Sequence, residues 1–236
     1  MSLDIGKAFT FMFDDPDWLR KLGTATLVAF IGVLLAAPLI GLIPLIMLFG
    51  YTLDVTRNVL DGREHPLPEW EDWGRLFMRG LKLAVVFVVW ALPFIVGAIP
   101  IGLGSALTNS QGSSANALGG LIAACGGCLT LLWSLVFLLF TPALYVRVAV
   151  TDEIAAGFDF GRLWAFTRDN LTNVIVAIIM ALVAGLIAAV AALAGLIVLC
   201  IGILVSIPFA MVWHYLVQAH LYGQVGAASV TAVISA

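Results

Sequence analysis

Charged residues are scarce in this chain. Asp, Glu, Lys and Arg make up 11% of its 236 residues, against about 25% in ordinary soluble domains. Residues 22–53, 83–146 and 170–236 contain none at all. A water-facing surface needs charge spread along it, so a soluble globular fold is excluded. With 62% hydrophobic residues and a mean hydropathy of +1.11, one soluble core could not hide so much apolar surface. A basic footprint is also lacking: 11 Lys and Arg face 14 Asp and Glu, with no basic run, which speaks against nucleic-acid binding. Cysteine is nearly absent. Cys125, Cys128 and Cys200 all lie in apolar stretches and make no extracellular disulfide framework. No Walker loop, kinase set, zinc-protease helix or nucleophile elbow occurs. No ionisable Asp, Glu, Lys or Arg falls inside an expected hydrocarbon span, where carriers and channels keep such groups. The residues therefore nominate no catalytic, cofactor-binding or metal site.

What charge there is falls into three blocks, Asp4 to Lys21, Asp54 to Lys82 and Arg147 to Asp169. Basic residues near short loops favour the cytoplasmic side, so the simplest threading puts all three blocks there. Each uncharged stretch then crosses the bilayer an even number of times. Residues 83–103 and 121–146 form one pair of spans around the polar loop 105–120, and 171–195 and 197–222 form another. Residues 22–53 are short for two spans. The preferred reading is a tight hairpin turning near Ala37-Pro38 or Gly41 to Pro44, with a re-entrant pair as the alternative. Asp4, Asp14, Asp15 and Asp17 precede the first apolar run, so that run is expected to stay as an uncleaved anchor. The expected architecture is all-α: one polytopic membrane domain of about six transmembrane helices in three hairpins, each preceded by an interfacial amphipathic helix.

Each block carries a similar short pattern ahead of an apolar stretch: DIGKAF at 4–9, DWGRLF at 72–77 and DFGRLW at 159–164. An Asp can cap a helix N-terminus and complement its dipole. Gly permits close approach, Lys or Arg snorkels to lipid phosphates, and the aromatic sits at headgroup depth. The interfacial or docking residues are thus Asp4, Gly6, Lys7, Phe9, Asp72, Trp73, Gly74, Arg75, Asp159, Gly161, Arg162 and Trp164, joined by Trp18 and Trp70 in an aromatic belt. Tyr51, Tyr145 and Tyr215 mark the return of each hairpin to the interface. The pattern divides the chain into internal repeats at 4–66, 72–150 and 159–223, with 224–236 as a tail.

The runs DIGKAFTFMFDDPDWLRKL (4–22), GYTLDVTRNVLDG (50–62) and above all PLPEWEDWGRLFMRGLK (66–82) resemble the prokaryotic membrane family called domain of unknown function 4013. The run FGRLWAFTRDNLTNVIVAII (160–179) is more loosely similar to repeats in other multi-helix bacterial families, including the membrane domain of glycerophosphodiester phosphodiesterases. The resemblance implies an integral membrane protein with helical hairpins and brings no established activity or catalytic residues.

The remaining candidates favour structure over chemistry. Cys125-Gly126-Gly127-Cys128 lacks the second pair a metal site needs, so Gly126 and Gly127 are assigned to helix packing. Ala181, Gly185, Ala188, Ala192 and Gly195 offer small-xxx-small spacing for the same purpose. His214 and His220 are read as interfacial hydrogen bonders, His65 as solvated, and Asp54 with Arg57 as an intrahelical ion pair. The expected function is that of a non-catalytic accessory or scaffolding subunit in the prokaryotic cytoplasmic membrane, without cofactors. Its partners are the lipid bilayer and other membrane subunits or further copies of itself, docked through the Trp-rich cytoplasmic face. The alternative is a transporter or lipid-handling protein for a neutral or apolar substrate.

Overall fold

A chain in hydrocarbon has no water to satisfy its peptide groups, and an α-helix satisfies them within one segment. The computed structural model describes residues 3–37, 39–109, 113–195 and 201–234 and is helical, with no strand among the described residues. Helix α1 (Ile5–Thr10) leads through a 3-10 turn (Phe11–Asp14) into α2 (Trp18–Leu34) and α3 (Leu42–Leu60). Two long helices follow, α4 (Trp73–Thr108) and α5 (Ser113–Thr151). A second 3-10 turn (Ile154–Phe158) precedes α6 (Phe160–Asp169), α7 (Leu171–Ala194) and α8 (Ile201–Ile234).

Four helices, α4, α5, α7 and α8, are long and apolar enough to cross a membrane, which marks a multi-pass membrane protein. Several boundaries depart from expectation. Helices α4 and α5 run through most of the supposed loop 105–120, because nothing at Ser105 to Thr108 or after Ser113 breaks a helix. The second amphipathic segment is not a separate helix: from Trp73 it continues without a break into α4, whereas α1 and α6 end before α2 and α7. The tail 224–236 is helical to Ile234 as part of α8. Pro38, Cys200 and residues 197–199 of the last expected span lie outside the described residues.

The chain divides into two compact units, Met1–Ala84 with Thr141–Ala236, and Val85–Phe140. In the first, α7 packs along α8, which is also packed by α2 and α3. Its core gathers toward the charged ends of the helices: Tyr51, Leu53, Leu76, Leu144, Leu163 and Tyr222 are fully or almost fully buried. Helices α3 and α4 touch backbone to backbone there. A side chain on Gly50 would overlap the carbonyl of Leu76, and one on Gly80 that of Ile46. Away from the charge the pattern inverts, with Leu27, Leu34, Leu182, Leu186, Val190 and Val205 exposed. That is the distribution a lipid solvent permits.

In the second unit Trp90 stacks on Trp133 with ring centroids 5.6 Å apart, and Trp133 Nε1 donates to the Trp90 carbonyl at 2.9 Å. Phe87 meets Phe137 edge-on. Outward-facing Val96, Leu103, Leu121, Leu131 and Leu135 are exposed.

Candidate functional site

The three sequence patterns form the same local device. The N–H groups of Lys7, Arg75 and Arg162 donate to Asp4 Oδ1, Asp72 Oδ1 and Asp159 Oδ1 at 2.9, 2.9 and 3.1 Å. One residue later, the N–H groups of Ala8, Leu76 and Leu163 close the first helical turn on the same three aspartates' carbonyls, and all three side chains are fully buried. Each aspartate thus caps a helix and starts it with an apolar residue pointing inward. The glycines were assigned to close approach, yet a methyl group at Gly6, Gly74 or Gly161 would meet only the capping Oδ1 at 3.7 Å. The cap does not demand glycine.

Ion pairs then join the blocks. Arg20 reaches Glu69 at 2.7 Å, and Lys21, buried, bridges Asp15 at 2.8 Å and Glu69 at 3.0 Å while donating to the Leu67 carbonyl. Burial alone would lower the Lys21 pKa; hydrogen bonds and charge from Asp15 and Glu69 outweigh it and raise it above 10.5. Burial likewise pulls Glu69 upward, but Lys21 and then Arg20 hold its carboxyl below the ordinary 4.5. The loop of residues 61–72 is fastened by its own carbonyls. Those of Pro66 and Pro68 accept from Asn58 Nδ2 at 2.8 Å and from the Tyr51 hydroxyl at 3.1 Å. Trp70 stacks on Tyr51 at 4.3 Å and donates to the Lys21 carbonyl.

The second join centres on Arg79. This buried guanidinium pairs with Asp54 Oδ1, donates to the Ala149 carbonyl at 2.8 Å, and lies 3.3 Å from Asp152 Oδ1. Arg75 reaches Asp54 Oδ2 and Lys82 reaches Asp152 Oδ2, at 2.8 and 2.7 Å. Burial raises the Asp152 pKa, but hydrogen bonding and charge from Lys82, then Arg79, hold it below 3.8. The expected Asp54–Arg57 pair does not form: Asp54 turns to α4, and Arg57 lies 4.0 Å from Asp61. Above this floor opens a polar cleft of about 500 Å³, lined among others by Arg57, Arg63, His65, Glu71 and Arg75. Its mixed charges can hold a polar group, but it presents no paired acid and base aimed at a common point.

Other candidates separate as follows. Phe9 meets Trp213 edge-on at 5.7 Å, and Trp18 meets Phe13 at 5.3 Å. Trp70 is half-buried and engaged within the chain, leaving Trp73 and Trp164 as the exposed tryptophans of the motifs. Tyr51 and Tyr145, expected at the interface, are core residues, as is His220, which stacks on Phe11 at 4.3 Å. Trp70 covers Tyr51, Tyr145 packs on Tyr222 at 5.3 Å, and His220 keeps a hydrogen bond, its Nδ1 lying 3.0 Å from Gln224 Nε2. His65 is exposed. A methyl group on Gly126 would come within 2.8–2.9 Å of Pro100, Gly97 and Ile101, so Gly126 packs, while Gly127 faces open space and Cys125 and Cys128 are exposed. Ala181 and Ala188 are buried, and Gly185 makes room for His214, whose Cε1 a methyl group there would approach to 3.3 Å. The Ala192 carbonyl accepts from Ser206 at 2.8 Å, and a side chain on Gly195 would press on Gly202. No group of three or more His, Cys, Asp or Glu is placed to hold a metal ion among the described residues.

Neither the curated proteins nor the solved structures include a match to this chain. A family model does match, that of the Protein of unknown function (DUF4013), and it covers residues 30–199, from the first apolar stretch through α7. This chain, with its capped helices and apolar spans, belongs to that family.

Proposed function

We propose that this is a non-catalytic accessory or scaffolding subunit of the prokaryotic cytoplasmic membrane, its charged face on the cytoplasmic side. The observation that carries the reading is how little of each spanning helix the chain covers itself. The apolar windows of α4 and α5 are 17% and 6% buried, and those of α7 and α8 33% each. The small-residue row of α7 is already used by α8, so partners would meet the leucine-rich outer faces. The charged end, by contrast, is locked by ion pairs that span its three blocks. The three equivalent Asp caps support reading 4–66, 72–150 and 159–223 as repeats of one hairpin unit hung from that face.

Extraction in a mild detergent or lipid-retaining polymer, followed by native mass measurement, tests this. The expected result is a stoichiometric partner or a self-associated form; a clean monomer overturns it. A second reading, lipid handling, is favoured by an apolar groove of about 290 Å³ between α2 and α8, lined by Phe30, Val33, Leu34, Ile203, Leu204 and Ile207. A monomer carrying one bound lipid that Phe30→Trp displaces would select this reading.

A further inference from the structure

We infer that α2 and α3 form a re-entrant hairpin, which enters the hydrocarbon from the charged face, turns inside it and returns, so that its tip is seated among the acyl chains of one leaflet. Its two ends are on one side. Arg20 and Lys21 at the base of α2 pair with Glu69, just beyond α3, so the pair crosses twice or not at all. Its arms are too short to cross. The uncharged parts, Leu22 to Leu34 and Leu42 to Leu53, are about 20 and 18 Å long at the rise of a helix. The hydrocarbon is about 30 Å thick, whereas α7, with 24 residues, is about 36 Å long.

The tip has the chemistry of a buried turn. From Leu35 to Phe49 no side chain is polar, yet Leu39, Ile40, Leu42 and Ile43 are 68, 59, 47 and 52% exposed. The α4–α5 connection offers the contrast, with Ser105, Thr108, Asn109, Ser114 and Asn116 around it. Most of the described N–H groups of the tip are satisfied within it, as suits a lipid surround. The N–H groups of Leu35, Ala36, Leu39, Gly41, Leu42 and Ile43 donate to the carbonyls of Ile31, Val33, Ala36, Leu35, Leu39 and Ile40. The turn is tight because position 41 has no side chain: a Cβ there would meet Ala36 N and Leu35 C at 2.6 Å. At Leu39 the backbone takes φ +65°, a region where glycine is at ease, and the chain still places leucine there. An aqueous turn gains nothing from that choice, while a lipid-facing one gains an apolar contact.

Single cysteines at Ile40 and Ile43 test the inference, in the full chain with Cys125, Cys128 and Cys200 replaced by alanine. Asn109→Cys reports the far side and Glu64→Cys the charged face. A membrane-impermeant maleimide is applied to sealed vesicles of each orientation. Thiols in hydrocarbon neither ionise nor meet the reagent. The expected result is that the tip cysteines react at least about tenfold more slowly than either control from both sides, and as fast as the controls after detergent. Reaction from the Asn109 side would show a full crossing, and reaction from the Glu64 side a hairpin lying on the surface; either overturns the inference. Two tip positions guard against one disruptive variant, and repeating the reaction on the purified monomer reconstituted alone separates burial in lipid from cover by a partner subunit, reactive tip cysteines there overturning the inference.

Discussion

Replacing Arg79 by alanine removes three interactions at once: the pair with Asp54, the bond to the Ala149 carbonyl, and the approach to Asp152. Arg79 and Asp54 are only 6% and 4% exposed. Breaking a buried pair by deleting one partner costs about 3–5 kcal/mol, because the other charge stays behind in a poor solvent. Arg75, half-exposed, still holds Asp54 Oδ2 at 2.8 Å and keeps the loss toward the lower end of that range. For a chain of this length each kcal/mol moves the melting temperature by about 2–4 °C, so Arg79→Ala should lower it by about 6–15 °C. Arg79→Lys keeps the charge but brings one nitrogen to acceptors on three sides, and should recover only part of the loss. Removing both charges with Asp54→Ala and Arg79→Met should cost less than the two single changes together, since no orphan charge remains. Thermal unfolding in detergent, followed by tryptophan fluorescence, measures the parent, the four single variants and the double variant. A melting temperature within about 2 °C of the parent for Arg79→Ala, or strict additivity in the double variant, would refute the reasoning.

The acid and alkaline limits of stability should be far apart. Glu69 and Asp152 have depressed pKa values, so their stabilisation is present above 4.5 and 3.8 and is lost as pH falls through the lower folded values. Lys21 is raised, so its share is complete below 10.5 and lost as pH rises past the folded value. Melting temperatures followed by tryptophan fluorescence should show a plateau between about pH 5 and 10, with Glu69→Gln shrinking the acid loss; a marked fall between pH 7 and 5.5 would contradict this. In the second unit, Gly126→Leu should destabilise by about 1–3 kcal/mol through overpacking, while Gly127→Leu, facing open space, should be within about 0.5 kcal/mol of the parent. Comparing the two melting temperatures checks the helix face directly.

The separation of charged blocks from chargeless stretches was enough to read a helical membrane protein, because the solvent of a segment is written in its side chains. The three Asp caps were legible for a related reason: a cap is local, and its donor lies three residues away in the same chain. What the sequence did not disclose was tertiary. Asp54 had Arg57 one turn away, yet it pairs with Arg75 and Arg79 on another helix, which only the crossing at Gly50 and Gly80 brings near. Trp70 has the composition of a docking residue, and its stack on Tyr51 depends on a loop path that no periodicity encodes. Gly126 and Gly127 are neighbours of identical type, and only the neighbouring helix distinguishes them. The unbroken start of α4 was hidden as well, since its amphipathic and apolar segments join in one helical phase.

The pairing of Arg79 and Lys82 with Asp152 sets an order of events during synthesis. A ribosome adding about 5–20 residues per second needs roughly 4–15 s to make the intervening segment. For that interval Lys82 stands without its carboxylate, whereas Arg79 follows Asp54 out of the ribosome and lacks only its second one, at the stage when basic residues decide which side of the membrane a segment keeps. In the proposed cytoplasmic placement of this face, the charge that orients the nascent chain is afterwards the charge that closes the finished one, and Asp152, arriving late, converts an address into a fastening.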